Sequence, residues 1–279
     1  MSETCTAKRS VATLDNRSLD LRRRIVRVLG AAGRGHVGAS FSLVEILRVL
    51  FDDVMRCDSR DPKWPERDRL ILSKGHGCAA LYVLLAEKGF FPAEELGKFC
   101  KLDGILGGHP DRKVPGVECA TGSLGHGLPI AVGMAVNARY EESDRRVFVV
   151  LGDGECNEGS VWEAAMSAGK HKLGNLVAMV DYNKQQSYGS THEVLELEPF
   201  GDKWRSCGFH AVEVDGHDVA ALRDVLCRPT LGAGKPLAIL CHTVKGKGVS
   251  FVENNPAWHH KSKIKDEDVK RLLDALGDV

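Results

Sequence analysis

The sequence predicts an α/β fold, a mostly parallel sheet with helices on both faces. Two runs, RRVFVVLGD and NLVAMVDYN, are apolar almost without interruption, the mark of strands covered on both faces. Between them SVWEAAMSAGKHKL is long enough for a helix, so the three segments form one βαβ unit. Strand-like and helix-like segments keep alternating on either side of that unit, as a parallel sheet with crossover helices requires.

The elements follow in chain order. The start, MSETCTAKRS, lacks the apolar segment of a secretory signal and reads as a polar tail over residues 1–14. LDLRRRIVRVLGAAG places Leu21, Ile25 and Leu29 at helical spacing and closes on glycine. SLVEILRVLF has Ser42 followed three residues later by Glu45, the pattern of a capping box opening a helix. RLILS is a short strand, CAALYVLLAEKG a helix ended by Gly89, and FFPAEELGKF a turn and a helix start. LPIAVGMAVNARYEE is a helix rich in small residues, suited to close packing. After the central unit, FHAVEVDG and KPLAILCHTV supply two more strands, with a helix around VAALRDVL between them. A polar helix over residues 263–279 ends the chain. With no linker, low-complexity tract or internal repeat, residues 1–279 read as a single domain.

Lys plus Arg and Asp plus Glu both total 38, so the formal net charge is zero. That argues against a general nucleic-acid or membrane-surface binder. No apolar run approaches the ~20 residues needed to cross a bilayer. The nine cysteines are scattered and contain no Cys-x-x-Cys pair, so reduced thiols in a cytoplasmic protein are expected rather than a disulfide framework or zinc ribbon.

The chemistry concentrates in GDGECNEG, residues 152–159, at the end of a predicted strand. Ligands of open α/β sheets bind beyond the carboxyl ends of the strands. There Asp153 is a candidate ligand for a hard cation, and Gly152 and Gly154 leave the backbone bare for a diphosphate. The helix that follows offers free amides to an anion. The next strand ends in DYNKQ and brings Asn183 to the same edge, thirty residues after Asp153. A carboxylate, an amide oxygen, backbone carbonyls and two phosphate oxygens would make an octahedral magnesium site. Taken alone, GDG is ordinary turn chemistry, and only the whole strand–GDG–helix–strand–Asn series is specific. GHGCAA, residues 75–80, fits the dinucleotide pattern, but no second strand ending in an acid follows at the required distance. Four of the eleven histidines lie in glycine-flanked turns, GRGHVG, SKGHGC, GGHPD and SLGHG. Together they mark either a shared polar pocket or four exposed loops; imidazoles suit hydroxyl and phosphate groups near neutral pH.

These residues resemble a known family. LGDGECNEGSVWEAAMSAGKHKLGNLVAMVDYNKQQ resembles the thiamin diphosphate-binding motif of transketolases, which opens on GDG and ends in an asparagine about thirty residues later. GRGHVGAS resembles that family's S-G-H-P-G turn, with Arg34 and Val37 replacing serine and proline. LSKGHGCAALY resembles its S-x-G-H-A segment, and GGHPD its G-H-P-E. TGSLGHG resembles T-G-P-L-G-Q-G, with Ser123 for proline and His126 for glutamine. TVKGKGVSFVENNPAWHHK resembles the end of the cofactor domain, where members carry histidine followed by glycine and this chain has His259 and His260.

The resemblance implies a thiamin diphosphate-binding (diphosphate domain) fold and the following roles. Asp153 and Asn183 would ligate Mg2+, with calcium or manganese as substitutes, and the carbonyl of Gln185 would be the third protein ligand. Gly152 and Gly154 would meet the diphosphate, with His76 and His259 near it. Gly122, Ser123 and Leu124 would pack by the aminopyrimidine. His36, His76 and His109 are the implied catalytic residues, His36 and His109 hydrogen-bonding substrate hydroxyls. Glu158, counted with the cofactor site, and Glu163 match acids that couple paired active sites at the subunit interface; on a helix start they also simply favour the dipole.

In that family a second domain supplies the glutamate that activates the cofactor, and no strand–helix series for one follows residue 262. The resemblance thus implies the amino-terminal subunit of a split, cytoplasmic transketolase. Its carboxy-terminal partner would complete a heterotetramer acting on sugar phosphates, with no nucleic acid or membrane involved. The implied reaction is transfer of a two-carbon ketol unit from a ketose phosphate to an aldose. Three alternatives stay open: half of a 2-oxo acid dehydrogenase or deoxyxylulose-phosphate-type enzyme, a ketol or acyl transferase of a natural-product pathway, and a non-catalytic cofactor-binding subunit.

Overall fold

A computed structural model describes residues 13–187, 189–228 and 234–277. The expected polar tail lies outside the described residues except at its last two positions. Five strands, β1 (Arg69–Leu72), β2 (Val147–Gly152), β3 (Leu176–Tyr182), β4 (His210–Asp215) and β5 (Leu237–His242), form one sheet in the order β1-β2-β3-β5-β4. All four pairings are parallel. The connection from β3 passes over β5 to β4, and the chain then returns to β5. It turns back only at that edge strand, and the parallel pairing puts the carboxyl ends of all five strands on one side, where ligands of open α/β sheets bind.

Side chains alternate along each strand onto two cores. Leu70, Phe148, Val150, Val177, Met179 and Ile239 face a core shared with α1 (Asn16–Ala32), α3 (Val44–Val49), α4 (Cys78–Glu87), α9 (Val219–Leu226) and α10 (Asp266–Ala275). Ile71, Val149, Leu151, Ala178, Val180 and Leu240 face a second core with α5 (Gly127–Tyr140), α6 (Gly159–Lys170) and α8 (Phe200–Ser206). Two short helices, α2 (Val37–Phe41) and α7 (Thr191–Val194), lie in the loops. The small residues of α5 do what their size implies: Ala131 and Ala135 are buried in the second core, where α5 packs on α6. α1 opens on Asp15, whose side chain accepts from the Ser18 N–H, and closes on Gly33 at φ 66°.

One local expectation fails. Ser42 and Glu45 do not form a capping box; α3 starts at Val44 without a side-chain cap and runs into a π-turn, Leu50–Val54. Tertiary partners take both side chains. Ser42 Oγ donates to Asp181 Oδ2 at 2.6 Å. Glu45 accepts two bonds from Arg22, at 2.6 and 2.9 Å, and lies 2.8 Å from His217 Nδ1. Val244 N–H donates to His217 Nε2 at 2.8 Å, so Nδ1 carries the proton and donates to Glu45. The Arg22–Glu45 pair is fully buried and ties α1 and α3 to the loops after β4 and β5.

Candidate active site

The carboxyl ends of the strands gather the chemistry. Ser73 and Lys74 follow β1, Asp153 follows β2, Asn183 follows β3, and Lys245 follows β5. They border a pocket of about 230 Å³ lined by His36, His76, Gly122, Leu124, Gly152, Asp153, Gly154, Glu155, Asn183, Gln185, Gln186, Ser187, Lys74, Lys245 and His259. A larger open cleft of about 1070 Å³, between α5 and residues 62–69 and 112–118, contains none of these groups. Its size alone does not make it the site.

The GDG turn is held from two sides. Asp153 Oδ1 accepts from the Gly154 N–H at 2.7 Å, and Oδ2 accepts from the Lys184 N–H. Glu155, buried, accepts from Ser73 Oγ, from the Gly125 N–H at 2.9 Å and from the Gly152 N–H at 3.1 Å. It pins the turn to the loop carrying Gly122. A Cβ on Gly154 would lie 2.8 Å from Gln186 Cγ, so its bare backbone is required by close approach. A Cβ on Gly152 would meet only ordinary contacts, the nearest at 3.8 Å. Gly122, at φ 139°, sits so close to His109 that a Cβ would stand 3.0 Å from its ring. The expected anion-binding helix start is displaced: a 3-10 turn, Gly154–Asn157, precedes α6.

Burial, and then the charge of Asp181, pushes the Asp153 carboxyl up to about 7. Beneath it, Asp181 is satisfied by Lys74, Ser42 and Thr243. Burial and then Lys74 bring the Lys245 ammonium down to about 8; its Nζ donates to the Gln185 carbonyl at 3.1 Å. Asn183 Oδ1 accepts from the Gln185 N–H at 3.1 Å.

Five imidazoles meet above this bed. His36 lies 5.3 Å from His76, 6.5 Å from His109, 5.9 Å from His259 and 4.7 Å from His260, centroid to centroid. Burial first, then His260, His259, His109 and Lys245, holds His36 down to about 3, and His259 is held to about 4 by burial and then Lys245. Both are neutral at pH 7. Among the described residues the rings of His36, His76, His109 and His260 have no hydrogen-bond partner, and His259 Nδ1 is buried without one. Buried polar groups are ordinarily paired, so His259 Nδ1 fits a ligand, and the open ring nitrogens beside it are free to meet one.

The sequence-predicted residues therefore converge, with exceptions. Ser123 and Glu158 are exposed and outside the pocket wall, as is Glu163 on α6. His109 is exposed at the rim, its carbonyl held by Tyr82 Oη at 2.9 Å. Lys74, Glu155, Gln186 and Lys245 were not predicted; the lysines sit inside the quoted SKGH and TVKGKG segments, which marked them by position only. The GHG turn leads into α4, and no strand follows until β2, so the dinucleotide pattern has no structural counterpart.

The residues fit a diphosphate–metal group. Among the described residues no three His, Cys, Asp or Glu side chains could hold a metal by themselves. A cation here would depend on Asp153, Asn183 and a main-chain carbonyl, with further oxygens from an anionic ligand. The raised Asp153 carboxyl and the buried, unpaired His259 Nδ1 are what such a pair would satisfy.

Residues 16–278 match the family described as "Transketolase, thiamine diphosphate binding domain". The chain is 43% identical over 257 residues to a 6-deoxy-6-sulfo-D-fructose transketolase subunit of Clostridium sp. (strain MSTE9), covering 92% of this chain and 93% of that one. It is 44% identical to an apulose-4-phosphate transketolase subunit of Actinobacillus succinogenes, over 95% of this chain and 96% of the relative. The solved transketolase of Pichia stipitis with sedoheptulose 7-phosphate superposes with a TM-score of 0.86 at 34% identity; 94% of this chain matches 40% of that one.

Proposed function

The chain belongs to the transketolase family, through its thiamin diphosphate-binding domain, and from that premise we propose that it is the amino-terminal subunit of a two-chain transketolase. The partner chain would supply the activating glutamate and complete a heterotetramer, and the substrates would be sugar phosphates. The names of the two relatives, each called a transketolase subunit, support the two-chain reading. The free thiols of the described cysteines suit a cytoplasmic setting. One observation carries the reading: a buried carboxylate, an amide and a main-chain carbonyl meet three imidazoles, one with a buried unpaired nitrogen, in one pocket at the sheet edge.

When bound, thiamin diphosphate supplies the electron sink that lets a carbon–carbon bond beside a carbonyl break. Everything else falls to this chain's residues. Asp153, Asn183 and the Gln185 carbonyl would hold Mg2+. The Lys245 ammonium, in the same pocket wall, would face phosphate beside the Gly154 N–H, His76 and His259. Gly122, Ser123 and Leu124 would flank the aminopyrimidine. His36, kept neutral by burial, and His109 would both donate to and accept from substrate hydroxyls. Glu158 and Glu163, exposed at and after the start of α6, would face the neighbouring subunit.

The test is a coupled ketol-transfer assay with Mg2+, thiamin diphosphate, sedoheptulose 7-phosphate and an aldose acceptor. It is run on this chain with and without the polypeptide encoded beside it. Turnover is expected only in the mixture; turnover by the single purified chain would contradict the proposal.

A further inference from the structure

The imidazole cluster has an inner and an outer side. His76 and His259 stand in the pocket wall with Asp153 and Asn183. His109 and His260 are exposed and outside that wall. His36 touches both sides, and its 4.7 Å contact with His260 is the shortest of the ring contacts in the cluster.

That contact has a backbone cause. Gly35 and Lys261 form an antiparallel bridge in which each N–H donates to the other's carbonyl at 2.9 Å. In an antiparallel pair, the residue after one member faces the residue before the other, so His36 stands opposite His260. The Ile264 N–H donates to the Gly33 carbonyl at 2.6 Å and ties the same two loops further along. Beneath them Trp258 is buried, with Lys261 Nζ 4.4 Å from its ring centre. His260 is thus held in place from both ends of a short loop. Yet its ring nitrogens have no partner among the described residues.

A neutral imidazole offers one donor and one acceptor. Three rings, His36, His109 and His260, line one rim, and none of their nitrogens has a partner among the described residues. The carboxylates of the site, Asp153 and Glu155, lie buried below. An apolar ligand would leave the ring nitrogens unpaired at a cost. A polyhydroxylated chain, with a donor and an acceptor on every carbon, matches them.

We propose that His260 is a specificity-determining residue: opposite His36 across the Gly35–Lys261 bridge, it hydrogen-bonds a hydroxyl of the sugar substrate at the outer rim. The assignment rests on the two-chain transketolase reading. The inner imidazoles serve the cofactor, and the outer pair, His109 and His260, read the part of the sugar beyond the reacting carbons.

The test uses the two-chain enzyme with sedoheptulose 7-phosphate as the donor probe. His260→Ala should raise KM about five-fold, the worth of one neutral hydrogen bond. kcat should stay within about two-fold, and the affinity for thiamin diphosphate should not change, because uniform substrate binding alone is lost. His260→Asn, which keeps a donor and an acceptor, should recover part of the loss. An unchanged KM would overturn the proposal. So would a loss of thiamin diphosphate affinity as large as the rise in KM, which would make His260 a prop for His36. If the wild-type pair shows no ketol transfer, the two-chain reading fails on its own. His260 is then decided by NMR of the histidine-labelled assembly loaded with thiamin diphosphate and Mg2+. Addition of the same probe should shift the His260 ring signals, and an absence of shift contradicts the contact.

Discussion

Two polar clusters flank the sheet's carboxyl edge, and they differ in one respect. Behind it, Glu45 takes both terminal nitrogens of Arg22 and the ring N–H of His217, while Arg22 Nε donates to the Lys247 carbonyl at 2.7 Å. Every strong donor and acceptor there has a partner within the chain. In front of it, among the described residues, the Asp153 carboxyl has only backbone amides for hydrogen-bond partners, and the imidazoles of His36, His76, His109 and His260 have none. The electrostatics part in the same way. Burial alone would push the Glu45 carboxyl up, but Arg22 and then His217 bring it well below the usual carboxylate range. Asp153, without a cationic side chain bonded to it among the described residues, is pushed up to about 7 by burial and Asp181. The closed cluster is structure. The open one is a site, because its donors and acceptors, His259 Nδ1 among them buried, are left free for something that binds.

The comparison can be broken by perturbing each cluster. The largest effect is expected behind the sheet. Glu45→Ala leaves the Arg22 guanidinium buried without its carboxylate and should cost about 3–5 kcal/mol. For a chain of this size that lowers Tm by roughly 10 °C, measurable by scanning calorimetry. A fall of only a degree or two would mean that the cluster is not closed in the way described.

A smaller effect is expected in front. His36 is held down to about 3 in the folded chain, whereas an unfolded histidine titrates near about 6.5. Between those values the unfolded state binds the extra proton. Stability should therefore be unaffected above about pH 6.5 and decline as the pH falls toward 3. His36→Asn should flatten that decline in a Tm series between about pH 7.5 and 5, with His76 and His259 retaining part of it. Identical slopes in the two proteins would contradict a neutral, desolvated imidazole cluster.

What the sequence made legible follows from range. β2 and β3 are buried along their whole lengths, so their apolar runs announced themselves without any knowledge of partners. Asp153 and Asn183 were placed together because each ends one of two adjacent parallel strands. Ser42 and Glu45 were misread because a local pattern competed with partners at positions 181 and 22 that no window of sequence contains. Lys74 and Lys245 went unassigned for a similar reason. A lysine is an ordinary surface residue until a fold buries it, and both are buried here. The His36–His260 pairing depends on a single backbone bridge between loops more than two hundred residues apart. The spacing of the histidines in the sequence carries no trace of it.

The most direct measurement is a calorimetric titration of thiamin diphosphate, with Mg2+, into the chain assembled with its partner, wild type beside Asp153→Ala. The account predicts that the substitution weakens binding by at least about ten- to a hundred-fold, the scale seen when even the partners that orient a metal's ligands are removed. Binding undiminished in Asp153→Ala would contradict the account at its centre.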